Sequence, residues 1–174
     1  MPNPFRRSPR APSEVVERAR LEPDERILAA CEARDGSWLL GTRDALHVVP
    51  PSDAGRRVAW EWVERADWSK DDARLRVVEV GEFGRERPVH VFEVDDPGVF
   101  LQLVRERVTA SVVLQRRVVV SGKKGLYVIA RRAPRGSGEI TWAYEFDREV
   151  DPAEPGVLEA AEEGLRRAAQ EIGL

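Results

Sequence analysis

Two histidines, one cysteine and scattered carboxylates are the stock from which catalysis would have to be built. Nucleophilic catalysis needs Ser, Cys or Thr beside a base that is itself held by a third group, and no Gly-x-Ser-x-Gly elbow is present. Cys31 ends the run Ile27-Leu28-Ala29-Ala30-Cys31, the setting of a small buried hydrophobe more than of a reactive thiol. His47 and His90 stand among valines in segments that read as strands, so structural positions are expected. A general base would also need a cleft and a partner. The pairs Asp71-Asp72 and Asp95-Asp96 suit a turn and a helix cap better than metal or glycosidase work. Ser121-Gly122-Lys123-Lys124-Gly125 has the residue types of a phosphate-gripping loop but lacks the Gly-x-x-x-x-Gly-Lys-Ser/Thr spacing and a following helix, so a plain turn is expected. So few Cys and His residues make neither a disulfide framework nor a zinc cluster. The chain therefore reads as non-enzymatic and without a cofactor, with a small hydrolase using His47 or His90 as the minor alternative.

Charge and aromatic residues are the stronger signals. The 174 residues carry a net charge of -3, and this total conceals blocks. Segment 1–20 sums to +3, 21–102 to -7, 103–137 to +8 and 138–174 to -7. Arg105, Arg107, Arg116, Arg117, Lys123, Lys124, Arg131, Arg132 and Arg135 face only Glu106 within the basic block. Arg116, Arg117, Lys123, Lys124, Arg131 and Arg132 are the candidate anion- or partner-binding residues, because such density attracts phosphate-bearing lipid, nucleic acid or an acidic protein face. The opposing reading is neutralisation by Glu139, Glu145, Asp147, Glu149, Asp151 and Glu154, which a hairpin would bring within cross-strand range. Trp60 and Trp62, placed on one face by a strand reading, form a candidate aromatic surface, with core filling as the competing role. Arginine far outnumbers lysine, a bias of high-GC bacterial coding.

The elements that must hold these residues are legible from pattern. The first 12 residues, rich in proline and arginine with Arg6, Arg7 and Arg10, read as a disordered basic tail. A short helix capped by Ser13 and stopped by Pro23 follows. Seven short apolar runs then alternate with turn chemistry: 26–34, 37–42, 45–49, 57–62, 64–68, 73–80 and 87–94. Asp35-Gly36 favours a tight hairpin because both residues tolerate positive φ. Gly81-Glu82-Phe83-Gly84 supplies a later turn, while the boundary between the fourth and fifth runs has no turn residue and leaves one bent strand open. Asp96 and Pro97 start a helix carrying Phe100, Leu103 and Val104 at helical spacing. Its end is open between helix and strand over 110–120, where valines favour extended chain. A hairpin of 126–132 and 139–146 about Pro134-Arg135-Gly136-Ser137-Gly138, and a last helix bearing Leu158, Ala161, Leu165, Ala168 and Ile172, complete the chain.

Seven strands followed by an amphipathic helix resemble the pleckstrin-homology-like superfold. Glu25-Arg26-Ile27-Leu28, the stretch Leu39 to Val49 with its Thr42-Arg43-Asp44-Ala45-Leu46 turn, and Val58-Ala59-Trp60-Glu61-Trp62-Val63 resemble the bacterial PH-like and GRAM-like pattern over residues 22 to 110. The whole chain also resembles conserved actinobacterial proteins that carry no assigned activity. The expected fold is thus α+β, mainly β, a PH-like seven-stranded sandwich or barrel capped by a helix over 13–110, plus a C-terminal hairpin and helix over 111–174 packed on it. The resemblance implies a binding module contacting protein partners, with attachment to anionic lipid or nucleic acid as the alternative. Phosphoinositide-binding members grip the headgroup with several cations beside the first hairpin loop, whereas Arg34-Asp35-Gly36 offers one cation next to one anion. No apolar run is long enough for a transmembrane segment, and a cytoplasmic location is expected.

Overall fold

The computed structural model describes residues 9–81, 85–136 and 138–174. The tail up to residue 8, with Arg6 and Arg7, lies outside the described residues, as do Glu82-Phe83-Gly84 and Ser137 of two expected turns. The protein is α+β and mainly β, with 10 strands in three antiparallel sheets and three α-helices among the described residues.

The first sheet is a meander of β1 (Ala29–Glu32), β2 (Trp38–Gly41), β3 (Ala45–Val49) and β4 (Arg56–Ala59). At its first hairpin only Gly36 takes positive φ (82°). Asp35 does not; it accepts a hydrogen bond from the Ser37 amide at 2.9 Å, so one left-handed glycine and one side-chain bond make the turn. The second sheet, β5 (Val63–Ser69), β6 (Arg74–Glu79) and β7 (Val89–Glu93), meets the first over a shared core that includes Leu39, Leu46, Trp60, Leu75 and Val77. The two sheets do not close into a barrel. One backbone bond, from the Arg34 amide to the Glu93 carbonyl at 2.8 Å, ties the end of β1 to the end of β7.

Two helices cover this pair of sheets. α1 (Ser13–Ala19) buries Val15 and Ala19 against Ala30, Trp38, Leu40 and Val49. It begins at Ser13 itself, with Pro12 in the cap position and no side-chain cap, and ends at left-handed Arg20 before Pro23 is reached. α2 (Gly98–Ser111) lays Phe100, Leu101, Leu103 and Val104 on the shared core. Each fully buried side chain of this size contributes about 1.5–3 kcal/mol. The helix begins at Gly98, with Pro97 and not Asp96 in the cap position and no side-chain cap; the Asp96 carboxylate accepts from the Gly98 amide at 2.9 Å just ahead of it.

The stretch left open between helix and strand resolves without a loop. α2 runs directly into β8 (Val112–Ser121), where β-branched residues fit a pleated strand better than a helix. With β9 (Lys124–Arg131) and β10 (Thr141–Phe146) it forms a third sheet of order β10-β9-β8, so the expected C-terminal hairpin is a three-stranded sheet. Gly122, at φ 59°, and Lys123 form the two-residue link between β8 and β9, with glycine at the position where a hairpin turn needs positive φ. α3 (Pro155–Glu171) packs Val157, Ala161 and Ala168 on one face of this sheet against Leu126 and Val128. The other face meets the second sheet through Ile129, Ala143 and Val80.

Candidate binding surface

Three of the nine cations of the basic block, Arg116, Arg117 and Lys124, are answered by acids from the C-terminal region, and Arg135 by Asp44. Arg116 donates through Nε to Glu171 of α3 at 2.7 Å and forms a second, shorter bond through its terminal nitrogen. Arg117 forks onto Asp147 at 2.8 and 2.5 Å, also donates to the Lys123 carbonyl, and lies 4.9 Å over the Tyr127 ring. Lys124 is 2.5 Å from Glu149, and Arg135 pairs with Asp44 in the β2–β3 connection. Hydrogen bonds from Arg117 and from the Gly125 amide hold the Asp147 carboxyl down to about 2. The Arg117 and Lys124 pairs form because β10 runs back beside β9 and ends next to the β8–β9 turn, and the Arg116 pair because α3 packs beside β8.

Arg131, expected on the partner-binding surface, is instead buried at 4% exposure. Its guanidinium donates to the Val63 carbonyl at 3.2 Å, to Ser111 Oγ at 3.0 Å and to the Glu64 carbonyl at 3.3 Å, fastening the third sheet to the second. Burial lowers its pKa, and the nearby carboxylates of Glu64 and Glu145 oppose that. Lys123 is exposed at the β8–β9 turn, and Arg132 is half-buried with Nε unpartnered. Among the described residues these two and Arg105 and Arg107 are the cations of the block's surface that make no ion pair.

The two tryptophans do not share a face. Trp60-Glu61-Trp62 forms a 3₁₀ turn between β4 and β5, and with three residues per turn positions two apart point in different directions. Trp60 is fully buried and donates from Nε1 to the Thr42 carbonyl at 3.1 Å. Trp62 is 48% exposed. Only Trp62 is left as surface.

The titratable groups weighed for catalysis have structural surroundings. His47 is fully buried, with Nδ1 3.2 Å from the Ala19 carbonyl and Nε2 3.0 Å from Glu25 Oε2. Both neighbours are acceptors, so a singly protonated ring satisfies only one of them. Glu25 also accepts from Thr42 Oγ1 at 3.0 Å and from Arg57 at 3.1 and 3.2 Å, so this node clamps the end of α1 to the first sheet. His90 meets Glu79 at 2.5 Å, and Arg56 of β4 joins the same carboxylate at 2.8 Å, bridging the first and second sheets. Cys31 is buried, and desolvation pushes its thiol up to about 12.

A surface that no motif announced lies along β8. β8 pairs only with β9, which leaves a ten-residue strand with its outer edge open. Between that edge and α3 runs a cleft of about 490 Å³, lined by Arg116 to Val119 on the strand and by Ala160, Gly164 and Ala168 on the helix. Gly164 sets its depth: a Cβ there would lie 2.5 Å from Val118 Cγ2. Val113 and Val119 are exposed near the two ends of the strand, Val119 by 61%. The sequence signal was available in the small residues at 160, 164 and 168, four apart on a helix. It becomes a cleft wall only once β8 is known to be the neighbouring strand.

These observations define an α+β, mainly β chain of three antiparallel sheets with an open strand edge beside a helix-walled cleft. No protein-family model, curated protein or solved structure matches it. Among the described residues no helix is long and apolar enough to cross a membrane.

Proposed function

We propose that this chain is a non-enzymatic binding module that acts by contact with a protein partner, its first two sheets and α2 being a pleckstrin-homology-like unit. The observation that carries this reading is the open edge of β8 running beside the cleft against α3. A free strand edge is a template for pairing with another chain. The sequestering of His47 and Cys31 supports a non-catalytic role. A four-stranded meander followed by a three-stranded one and a helix laid on their shared core supports the PH-like reading. Attachment to anionic lipid or nucleic acid draws less support, since Arg116, Arg117, Lys124 and Arg135 already hold acidic partners.

The test is site-specific photo-crosslinking in extracts of the source organism, with the probe placed in turn at Leu28, Trp62, Val91 and Val119, all exposed apolar positions. A discrete protein adduct from at least one position is expected. Absence of adducts from all four, together with retention of the protein on anionic vesicles or RNA at low salt, would overturn the reading.

A further inference from the structure

We infer that the third sheet and α3 form one rigid flap that lifts off the second sheet about the Ser111–Val112 junction, with Arg87 as its catch and Glu64 as the group that makes it proton-sensitive. The chain crosses between the flap and the rest of the protein once, where α2 passes into β8. The flap works independently of the site a protein partner occupies.

Its two faces are bound unequally. Towards α3 the third sheet buries Leu126 and Val128 against Val157, Ala161 and Ala168, with a rim of half-buried aromatic and aliphatic side chains around them. Towards the second sheet the buried apolar contact is Val80 with Ile129 and Ala143. Sheet and helix therefore move together, and the seam with the second sheet is the one to part, because small, polar interfaces within a chain leave their two sides free to move.

Polar groups complete the seam and divide it into a hinge end and a free end. At the hinge the Arg132 amide donates to the Ser111 carbonyl at 2.9 Å, Arg131 donates to Ser111 Oγ at 3.0 Å and to the Val63 and Glu64 carbonyls, and Arg135 pairs with Asp44 just beyond. At the free end Arg87 joins the two sides, donating to the Glu64 carboxylate at 3.0 Å and to the Tyr144 carbonyl at 2.7 Å. Tyr144 sits opposite Val128, three residues and roughly 10 Å along β9 from Arg131. Gly81 makes the space for this catch, since a Cβ there would lie 2.9 Å from Arg87 Cγ and 3.2 Å from its Cα. Releasing one side chain opens the free end, while the bonds beside Ser111 turn with the hinge.

Glu64 couples the seam to pH. Its side chain is 8% exposed, and the charges facing it are Arg65 on its own strand, Arg87 ahead of β7, Arg131 on β9 and Glu145 on β10. Burial, aided by Glu145, raises its pKa against the pull of Arg87, Arg65 and Arg131. Lifting the flap lets water reach the carboxylate and removes that penalty. A carboxyl whose pKa is raised by docking stabilises the docked form below its open-state value, and this contribution is lost as pH rises through the docked value. The flap is therefore held at acid pH and freed towards neutral.

The test is the distance between spin labels at Lys70→Cys and Glu159→Cys, both exposed positions, read by double electron-electron resonance on the full chain. Cys31 is buried, with its thiol raised to about 12, and stays unlabelled. A longer-distance minority of at least about 5% is expected at pH 7, shrinking severalfold at about pH 5 with far-UV circular dichroism unchanged. Arg87→Gln should enlarge the minority severalfold, and Glu64→Gln should shrink it and flatten its pH response. The wild-type pH series stands as the readout if either variant misfolds. A single distance across this pH range, a minority that grows on acidification, one that keeps its pH response in Glu64→Gln, or one that appears only with loss of circular dichroism would overturn the inference.

Discussion

Replacing Glu25 with alanine should cost the fold about 3–5 kcal/mol, the range for removing one partner from a buried charged pair. The magnitude follows from the surroundings of the carboxylate. Its side chain is 1% exposed. It accepts from the Glu22 amide at 3.1 Å, Thr42 at 3.0 Å, His47 at 3.0 Å and Arg57 at 3.1 and 3.2 Å. Alanine leaves the fully buried imidazole with the Ala19 carbonyl as its one remaining partner and removes the carboxylate that joins it to Arg57, Thr42 and the Glu22 amide. For a chain of this size the loss lowers Tm by roughly 6–20 °C. Hydrogen exchange should show α1 and residues 20–25 losing protection ahead of the rest. The pH dependence has a definite sign. Burial pushes the Glu25 carboxyl up, but the Glu22 amide, Arg57, His47 and Thr42 outweigh it and hold the pKa below 4.5. A carboxylate whose pKa is depressed by folding stabilises the native state above its unfolded pKa and loses that contribution as pH falls through the folded value. The gap between wild type and variant should therefore be full at pH 7 and narrow below about pH 4.5. Urea unfolding followed by tryptophan fluorescence measures it. A gap under about 1 kcal/mol at pH 7, or one that widens on acidification, would refute the reasoning.

Two further substitutions test the packing. Trp60→Ala should destabilise by about 3–5 kcal/mol, and Trp62→Ala should stay within about 0.5 kcal/mol of wild type, since one indole is fully buried and the other is half-exposed; equal effects in chemical denaturation would contradict the 3₁₀ placement. Gly125→Ala sets a Cβ 2.0 Å from the Val118 carbonyl oxygen, and because backbone cannot rotate aside as a side chain does, about 3 kcal/mol or more of destabilisation is expected. Retention of the β8–β9 register and stability by NMR and thermal melts would show that geometry to be wrong.

Strand runs were readable where local pattern and local punctuation agreed. β3 falls on 45–49 as its apolar run and flanking turns require, and β6 and β7 differ from their runs only at the ends. Reading failed where punctuation was missing. Nothing in Trp60-Glu61-Trp62 distinguishes a 3₁₀ turn from extended chain until Trp60 finds the Thr42 carbonyl. Over 112–121 helix continuation and strand were locally balanced, and pairing with β9 decided between them. Glu25 was visible only as part of a run resembling a family pattern, because its three hydrogen-bonding partners other than Glu22 lie 17 to 32 residues away.

By itself the sequence determined the stock of parts: seven strand runs, helices beginning near Ser13, near Pro97 and near Pro155, a surplus of cations over 103–137 and of anions after it. Periodicity and turn chemistry act over a few residues, and these features live at that range. Tertiary structure decided how the charges are spent. Arg116 finds Glu171 across 55 residues, Arg117 finds Asp147 across 30, and Arg135 finds Asp44 across 91, while Arg131 is drawn inside. An ion pair depends on separation in space, which composition does not encode. The open edge is decided the same way, since a strand is an edge only by virtue of the neighbour that does not pair with it.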